Sequence, residues 1–288
     1  MQTWQVGEIT IHCVVETVFK LPYNNKSFLL PGATPDELAK ISWLKPHYLS
    51  EQGHLLMAIQ ALLIEAGDIK LLVDTCIGND KPRRLTAGQA LHTDFLDRLA
   101  HIGWQRHNVT HVVCTHLHVD HVGWNTLLEE GNWVPTFPNA EYLIGKQEYE
   151  FWSRSKSTDQ QAVMEDSVTP IFNAGLVTLV EMNHTIGPGL QLIPTPGHTP
   201  GHVSVSIQSN GEKALITGDF IHHPCQIARP DWHCQFDEDI EAASSTRKRT
   251  LQTLADEDTL VIGTHFSKPA AGRVRLDDNN TWYLETDN

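Results

Sequence analysis

Apolar positions in the first third of the chain follow the alternating and continuous patterns that are typical of β-strands. Residues 7–19 are rich in β-branched side chains and partly alternate, and residues 56–65 and 69–74 form two further apolar runs. Gly67 and Asp68 separate those two runs as turn residues do. The pattern predicts an N-terminal β-meander.

A long segment inside this region has no regular period. Residues 21–54 hold four prolines together with several asparagine and glycine turn residues, which suits a loop with one helical turn at 36–41. Loops of this length in a compact domain are often functional, so residues 21–54 are predicted to be an N-terminal lid.

Later in the chain, apolar residues at helical spacing predict a helix over 95–102, followed by a strand at 109–115. The second half is predicted to contain further strands and a helix, at 177–180, 190–193, 203–207, 213–217, 239–254 (the helix) and, as the last strand, 259–262. The inner face of that helix is expected to hold Ile240, Ala243, Leu251 and Leu254.

The two halves repeat the same order of strands before a helix, and no Ser/Gly-rich linker separates them. We therefore expect a single domain over residues 1–288. Its predicted class is α/β (α+β), with helices covering the outer faces of two packed sheets.

The composition narrows the possible functions. A formal net charge of −14 disfavours binding to nucleic acid and to anionic membrane surfaces. The longest apolar stretch, residues 55–64, is about half a bilayer span, and residues 1–5 show no secretory signal, so a cytoplasmic location is expected. Five scattered cysteines without a CxxC pair favour reduced thiols over disulfides or a thiolate zinc site.

The most informative segment is Thr115-His116-Leu117-His118-Val119-Asp120-His121, at the end of a predicted strand. Imidazole and carboxylate groups suit zinc, manganese, iron or cobalt. His116 and His118 would project to one side of an extended strand end, while Asp120 and His121 would aim at a second point nearby. The spacing suggests two metal ions, with a solvated polar loop as the alternative.

Two metal sites need more ligands than this segment supplies, and other strand ends carry candidates. Residues 194–202, PTPGHTPGH, hold His198 and His202 rigidly at Pro-Gly turns, and only one of the two need be a ligand. Asp219 and His265 also follow predicted strands. Each has a structural explanation when taken singly, but their common position at strand ends favours a ligand role.

In this order the motifs resemble those of the metallo-β-lactamase superfamily of metallohydrolases. Besides HxHxDH and TPGHTPGH, the resemblance extends to Asp74, Gly218-Asp219 and the late Gly-Thr-His265, so it covers nearly the whole chain. It implies an αβ/βα four-layer sandwich. It also implies two metal ions, one held by His116, His118 and His198, the other by Asp120, His121 and His265, with Asp219 bridging them.

The same resemblance implies that Asp74 orients a ligand histidine. It implies that both ions are divalent, with zinc expected, and that a bridging hydroxide attacks the substrate. Asp120 and His222 are the predicted catalytic residues.

Within the superfamily the chain most resembles the N-acyl homoserine lactonase and organophosphate hydrolase branch, which implies a small ester or lactone as substrate. Asp219 stands where metallo-β-lactamases usually have cysteine or serine, and Val122-Gly123 replaces the Gly-Gly pair of glyoxalase-type thioesterases. Lactonases have a tyrosine three residues after the bridging aspartate, where this chain has His222. His222 is therefore interpreted as a proton donor, with a structural role as the alternative.

Other functions stay open beside this one. A phosphotriesterase, a thioesterase or a β-lactamase-like hydrolase would use the same ligands. A redox protein of this fold would need an additional flavin domain for which the length leaves no room, and a pure binding module should have lost ligands that are all present here. Association into a homodimer is also left open.

Overall fold

The computed structural model describes residues 1–21 and 29–286 of the chain. Two seven-stranded sheets and a two-stranded hairpin form the framework of that part. The strands are, in chain order, β1 (Gln2–Val6), β2 (Ile9–Leu21), β3 (Leu55–Ala66), β4 (Ile69–Val73), β5 (His111–Cys114), β6 (Thr126–Glu129), β7 (Asn132–Pro135), β8 (Glu141–Gly145), β9 (Val177–Val180), β10 (Thr185–Gly187), β11 (Leu190–Pro194), β12 (Val203–Ser209), β13 (Glu212–Ile216), β14 (Leu260–Ile262), β15 (Ala271–Leu276) and β16 (Trp282–Glu285).

Helices are short apart from the last. The α-helices are α1 (Pro35–Leu38), α2 (Phe95–His101), α3 (Lys146–Trp152), α4 (Thr158–Val163), α5 (Thr169–Asn173), α6 (Cys225–Ala228) and α7 (Ile240–Asp256). Single 3₁₀ turns cover Ser42–Leu44, Arg84–Thr86, Gly123–Asn125 and Gly218–Phe220, and a π-helical turn covers Met164–Val168. Among the described residues, no helix has both the length and the apolar character that a bilayer crossing requires.

The sheet order explains where the strand ends meet. The first sheet runs β1-β2-β3-β4-β5-β8-β9 and the second β10-β11-β12-β13-β14-β15-β16. Strands β1 to β4 pair antiparallel, which confirms the predicted meander. β4 with β5 and β13 with β14 pair parallel, so the carboxyl ends of each pair lie at the same edge of their sheet.

Three apolar clusters define the layers. One lies between the sheets and joins residues such as Ile64 and Val113 of the first sheet to Val205 and Ile216 of the second. Another packs α2 to α5 on the outer face of the first sheet, and a third packs α6 and α7 on the second. The predicted four-layer sandwich, helices outside and sheets inside, is confirmed.

The described part of the predicted lid, residues 29–54, packs on the outer cluster of the second sheet. Leu30, Leu38 and Tyr48 are buried there, and α1 matches the predicted helical turn. Leu21 belongs to β2, and residues 22–28 lie outside the described residues. A closing role for this segment stays a prediction.

One expectation about the secondary structure was wrong, and several strands were not predicted. The strand at 259–262 is not the last, because β15 and β16 follow it. Arg273 and Arg275 interrupt the apolar pattern of β15 and hide it in the sequence. The region from 121 to 177 also contains β6, β7 and β8, which are too short for their periodicity to be distinctive.

The inner face of α7 differs in one position from the prediction. Ala243, Leu251 and Leu254 are buried as expected, but Ile240 at the first turn is 49% exposed. Arg247 is buried on that face instead, since its guanidinium donates to the carbonyl oxygens of Phe220 and Pro230, at 2.7 Å each. Its Nη2 lies 3.8 Å from Oδ2 of the buried Asp237. A count of apolar residues does not detect a buried cation that is held by backbone acceptors and a carboxylate.

Truncation to alanine should affect the stability of the protein differently at the buried Leu251 and at the exposed Ile240. Leu251→Ala is expected to lower the free energy of unfolding by about 2–5 kcal/mol because it opens a cavity in the outer cluster. Ile240→Ala, at the exposed start of the same helix, should change it by less than about 0.5 kcal/mol. Urea unfolding monitored by circular dichroism measures both, and equal losses would contradict the assigned helix face.

Candidate metal centre

The two parallel strand pairs bring the predicted ligands to one edge of the sandwich. Asp74 follows β4 and the 115–121 loop follows β5, while Asp219 and His265 follow β13 and β14. The backbone N–H of Val203 donates to the Thr115 carbonyl at 3.1 Å. This bond ties the loop before β12, which carries His198, to the first sheet.

His116, His118 and His198 form one group of converging nitrogens. Nδ1 of His118 lies 2.9 Å from Nε2 of His116 and 2.9 Å from Nε2 of His198. Residues 116–118 are irregular and not extended strand, so the expected backbone geometry was wrong, although the two rings converge as expected. The loop itself turns both rings toward His198.

Asp120, His121 and His265 form a second group beside the first. Nε2 of His121 lies 3.2 Å from Nε2 of His265, and Asp120 oxygens lie 3.7 Å from each of these nitrogens. Asp219 lies between the groups, with Oδ2 3.6 Å from Nε2 of His198 and 3.4 Å from Nε2 of His121. The fold therefore brings together all seven residues predicted as ligands.

Three of the histidines are held from behind by an oxygen that can only accept a hydrogen bond. In each, Nδ1 lies 2.9 Å from that oxygen, which belongs to Asp74 for His121, to Asp237 for His198 and to the Ala58 carbonyl for His265. Each Nδ1 must therefore carry a proton, so in the neutral ring each Nε2 turns a lone pair toward the centre.

His116 is held in the same tautomer, with the proton on Nδ1, by the Thr115 hydroxyl. The Thr115 hydroxyl donates its proton to Oδ2 of Asp74 at 2.9 Å, so it can only accept from Nδ1 of His116 at 3.1 Å. Nε2 of His116 is therefore unprotonated as well. Asp74 contacts His121 as expected, and it also orients His116 through this hydroxyl.

Asp237 was not singled out from the sequence. It lies in the loop before α7, where its Oδ2 also accepts the backbone N–H of Cys234 at 2.8 Å. Its side chain is fully buried. Because Asp237 and His198 are 39 positions apart in the chain, no local spacing relates them.

Burial and charge set the protonation states of the side chains in the centre. Burial and the neighbouring imidazoles hold the pKa of His116, His118 and His198 well below its usual value. Burial opposes ionisation of Asp219, but the imidazoles around it, that of His265 foremost, outweigh this and hold its pKa well below the usual range. Burial also opposes protonation of His121 and His265, but the negative charge of Asp219 outweighs it and raises the pKa of both. The three-histidine group thus offers neutral nitrogens beside an anionic carboxylate, and a metal ion at the second group must displace protons.

The remaining histidines near the centre divide into two kinds. His202 is structural, since its Nε2 accepts the backbone N–H of Asp219 at 2.7 Å. His223 is also structural, with Nε2 2.9 Å from the Tyr48 carbonyl. His222 instead places Nε2 3.2 Å from Oδ2 of Asp219, beside both groups.

Cys234 is a further residue that the sequence did not suggest. One donor atom from each of His198, His222 and Cys234 lies within 4.8 Å of the others. Nδ1 of His222 has no hydrogen-bond partner within the described part of the chain. Whether His222 donates a proton stays a prediction, but the fold places it where that role requires.

The donor set fits divalent metal ions. Oδ1 of Asp219 is buried and lies 3.1 Å from Nε2 of His265, but it makes no hydrogen bond among the described residues. Buried lone pairs without a hydrogen bond are costly unless a cation meets them. Imidazole nitrogens and carboxylate oxygens in this number suit zinc and similar ions. His116 also lies near His121 and Asp219, so the division of the ligands between two ions stays a prediction.

Comparisons with known proteins agree with this picture. The model of the metallo-beta-lactamase superfamily matches residues 56–265. An N-acyl homoserine lactonase of a Bacillus species is 26% identical over 168 residues, which cover 58% of this chain and 60% of that protein. A probable metallo-hydrolase of Mycobacterium tuberculosis, Rv2300c, is 26% identical over 209 residues, which cover 67% of this chain and 66% of that protein.

Solved structures share the fold at lower identity. The hydrolase AbOPH of the beta-lactamase superfamily superposes with a TM-score of 0.81 at 23% identity, covering 99% of this chain and 97% of that one. AidC, a dizinc quorum-quenching lactonase, superposes with a TM-score of 0.78 at 23% identity, covering 100% and 98%. The chain matches about 60% of the length of the Bacillus lactonase. The activity of the present protein therefore does not follow from that similarity.

The contact between Asp237 and His198 can be tested by Asp237→Asn. Both carboxylate oxygens accept a hydrogen bond, so an amide must turn its NH₂ toward one of the two donors. The affinity for Zn²⁺ is expected to fall by about 10- to 100-fold, as is typical when a partner of a ligand histidine is lost. Chelator competition measures it.

Asp239→Asn is the matched control, because asparagine can still cap α7 at that position. It should keep the zinc affinity of the unaltered protein. A lower melting temperature in Asp237→Asn with unchanged zinc affinity would show that Asp237 only stabilises the loop.

Proposed function

The chain belongs to the metallo-β-lactamase superfamily, and from this premise we propose that it is a dinuclear, metal-dependent hydrolase of an ester or lactone bond. The observation that carries the proposal is the convergence of seven buried or half-buried ligand side chains, with the tautomers of four histidines fixed for metal binding. A degenerate binding module has no need for such a complete and oriented set.

His116, His118 and His198 would hold one ion, and Asp120, His121 and His265 the other. Asp219 would contribute to both, because its carboxylate lies between the groups and one oxygen lacks a hydrogen bond. Zinc is favoured by the nitrogen and oxygen donors. When bound, such a pair lowers the pKa of water toward neutrality and polarises a carbonyl or phosphoryl oxygen.

The chain's own residues would do the remaining work. Asp74 and Asp237 hold ligand rings in their tautomers, and His202 fixes the backbone of Asp219. His222 would donate a proton from a ring nitrogen to the departing alkoxide. The net charge of −14 favours a neutral small molecule over a polyanion as substrate.

Metal content and turnover, measured on one sample, test the proposal. Protein purified without chelator should contain close to two transition-metal ions per chain and should hydrolyse at least one of a panel of lactones, phenyl esters and phosphotriesters. Asp219→Ala should lose at least one ion together with most of the activity. One ion in fully active protein would contradict a dinuclear centre, and no turnover in metal-replete protein would contradict the substrate class.

His222 is tested by the choice of leaving group. His222→Phe should lower kcat for a lactone by about 10²- to 10⁴-fold, because a poor leaving alkoxide needs the proton. It should lower kcat much less for a p-nitrophenyl ester, whose phenolate departs without protonation. Metal content is checked in the same samples, and equal losses on both substrates would assign His222 a structural role.

A further inference from the structure

A buried carboxylate outside the ligand set touches both loops that carry the three-histidine group. Oε1 of Glu148, in α3, accepts the backbone N–H of Leu117 at 3.0 Å. Its Oε2 accepts the Thr199 hydroxyl at 2.7 Å and the backbone N–H of Gly201 at 3.1 Å. Leu117 lies between His116 and His118, and Thr199 directly follows His198.

The surroundings hold this contact in place. Nε1 of Trp152 donates to Oε1 of Glu148 at 2.6 Å, and the Trp152 ring lies 5.1 Å from that of His118. Nε2 of Gln160 donates to the Leu117 carbonyl at 2.8 Å, so the backbone N–H and C=O of Leu117 are both fixed by side chains.

The loop that carries Thr199 and Gly201 also packs closely against α3. A Cβ atom at Gly201 would lie 2.3 Å from the backbone nitrogen of Glu148, so only glycine allows this approach. The loop therefore sits directly on the helix that provides the carboxylate.

The two loops come from different sheets. Leu117 follows β5 of the first sheet, and Thr199 precedes β12 of the second. Hydrogen bonding within either sheet does not set the distance between them. The bond from the Val203 N–H to the Thr115 carbonyl joins the two segments at one end. The Glu148 carboxylate joins them beside the histidines, with one oxygen on each loop and a fixed separation between the two oxygens.

We propose that Glu148 is a positioning residue that sets the spacing between His116 and His118 on one loop and His198 on the other, and thereby the affinity for the metal ion held there. The inference rests on the proposed function, since it presupposes that these histidines bind metal.

Glu16 offers a matched control. It is also a buried carboxylate, and it accepts hydrogen bonds from the same types of group as Glu148: the backbone N–H groups of Ile77 and Gly78, Nε1 of Trp124 and the Thr93 hydroxyl. These partners belong to neither of the two loops that Glu148 joins. Glu16→Gln therefore makes the same chemical change at similar burial.

The test titrates metal-free protein with Co²⁺ against a competing chelator and follows the visible absorption of bound cobalt. In Glu148→Gln, the amide must present its NH₂ to a donor of one loop. We expect the affinity for one of the two cobalt ions to fall about 10- to 100-fold, with a changed absorption band for that ion. Glu16→Gln should keep the unaltered affinity for the ion held by the three-histidine group.

Thr199→Val keeps the Glu148 carboxylate and removes only the hydrogen bond from the Thr199 hydroxyl. It therefore provides a second test if Glu148→Gln does not fold. It should weaken the same ion in the same direction, by less. Equal losses in Glu148→Gln and Glu16→Gln, or unaltered affinity in Thr199→Val and Glu148→Gln alike, would overturn the inference. Failure of the unaltered protein to bind cobalt would instead overturn the proposed function, before any substitution is made.

Discussion

The convergence of electron-rich atoms at one edge of the sandwich is the constraint on which the rest of the structure depends. Imidazole nitrogens 2.9 Å apart, beside an ionised carboxylate, are unfavourable unless the rings are held in place from outside the centre. Asp74, Asp237 and the Ala58 carbonyl hold His121, His198 and His265, and the Thr115 hydroxyl holds His116. The position of each of these acceptors is therefore as important as the position of the ring it holds.

The ligand side chains come from loops of both sheets, and these loops can meet only where backbone segments approach one another closely. A Cβ at Gly123 would lie 1.8 Å from the Ile77 carbonyl oxygen, and the corresponding distance at Gly201 is 2.3 Å to the Glu148 nitrogen. Both glycines lie a few residues after a histidine of the centre. The loops are compact because the chain has no side chains at these contacts.

Two buried carboxylates hold loops that regular secondary structure does not reach. Burial raises the pKa of Glu16 and of Glu148, and hydrogen bonds from backbone N–H groups and from an indole partly offset this effect in each. Each glutamate uses its acceptor capacity to fix peptide groups that would otherwise be buried without a partner.

The sequence determined the chemistry of this protein and much of its framework. HxHxDH, TPGHTPGH, Asp219 and His265 could be recognised because ligand types at strand ends form a local pattern, and the meander could be recognised because its strands are long and apolar. Only the tertiary structure decided which groups support the ligands. Asp237 and Glu148 lie 39 and 31 positions from the residues they fix, His198 and Leu117. The same holds for Arg247, whose guanidinium is buried where it meets the carbonyl oxygens of Phe220 and Pro230. Such contacts join elements that are adjacent only after two sheets have packed, so no periodicity along the chain records them.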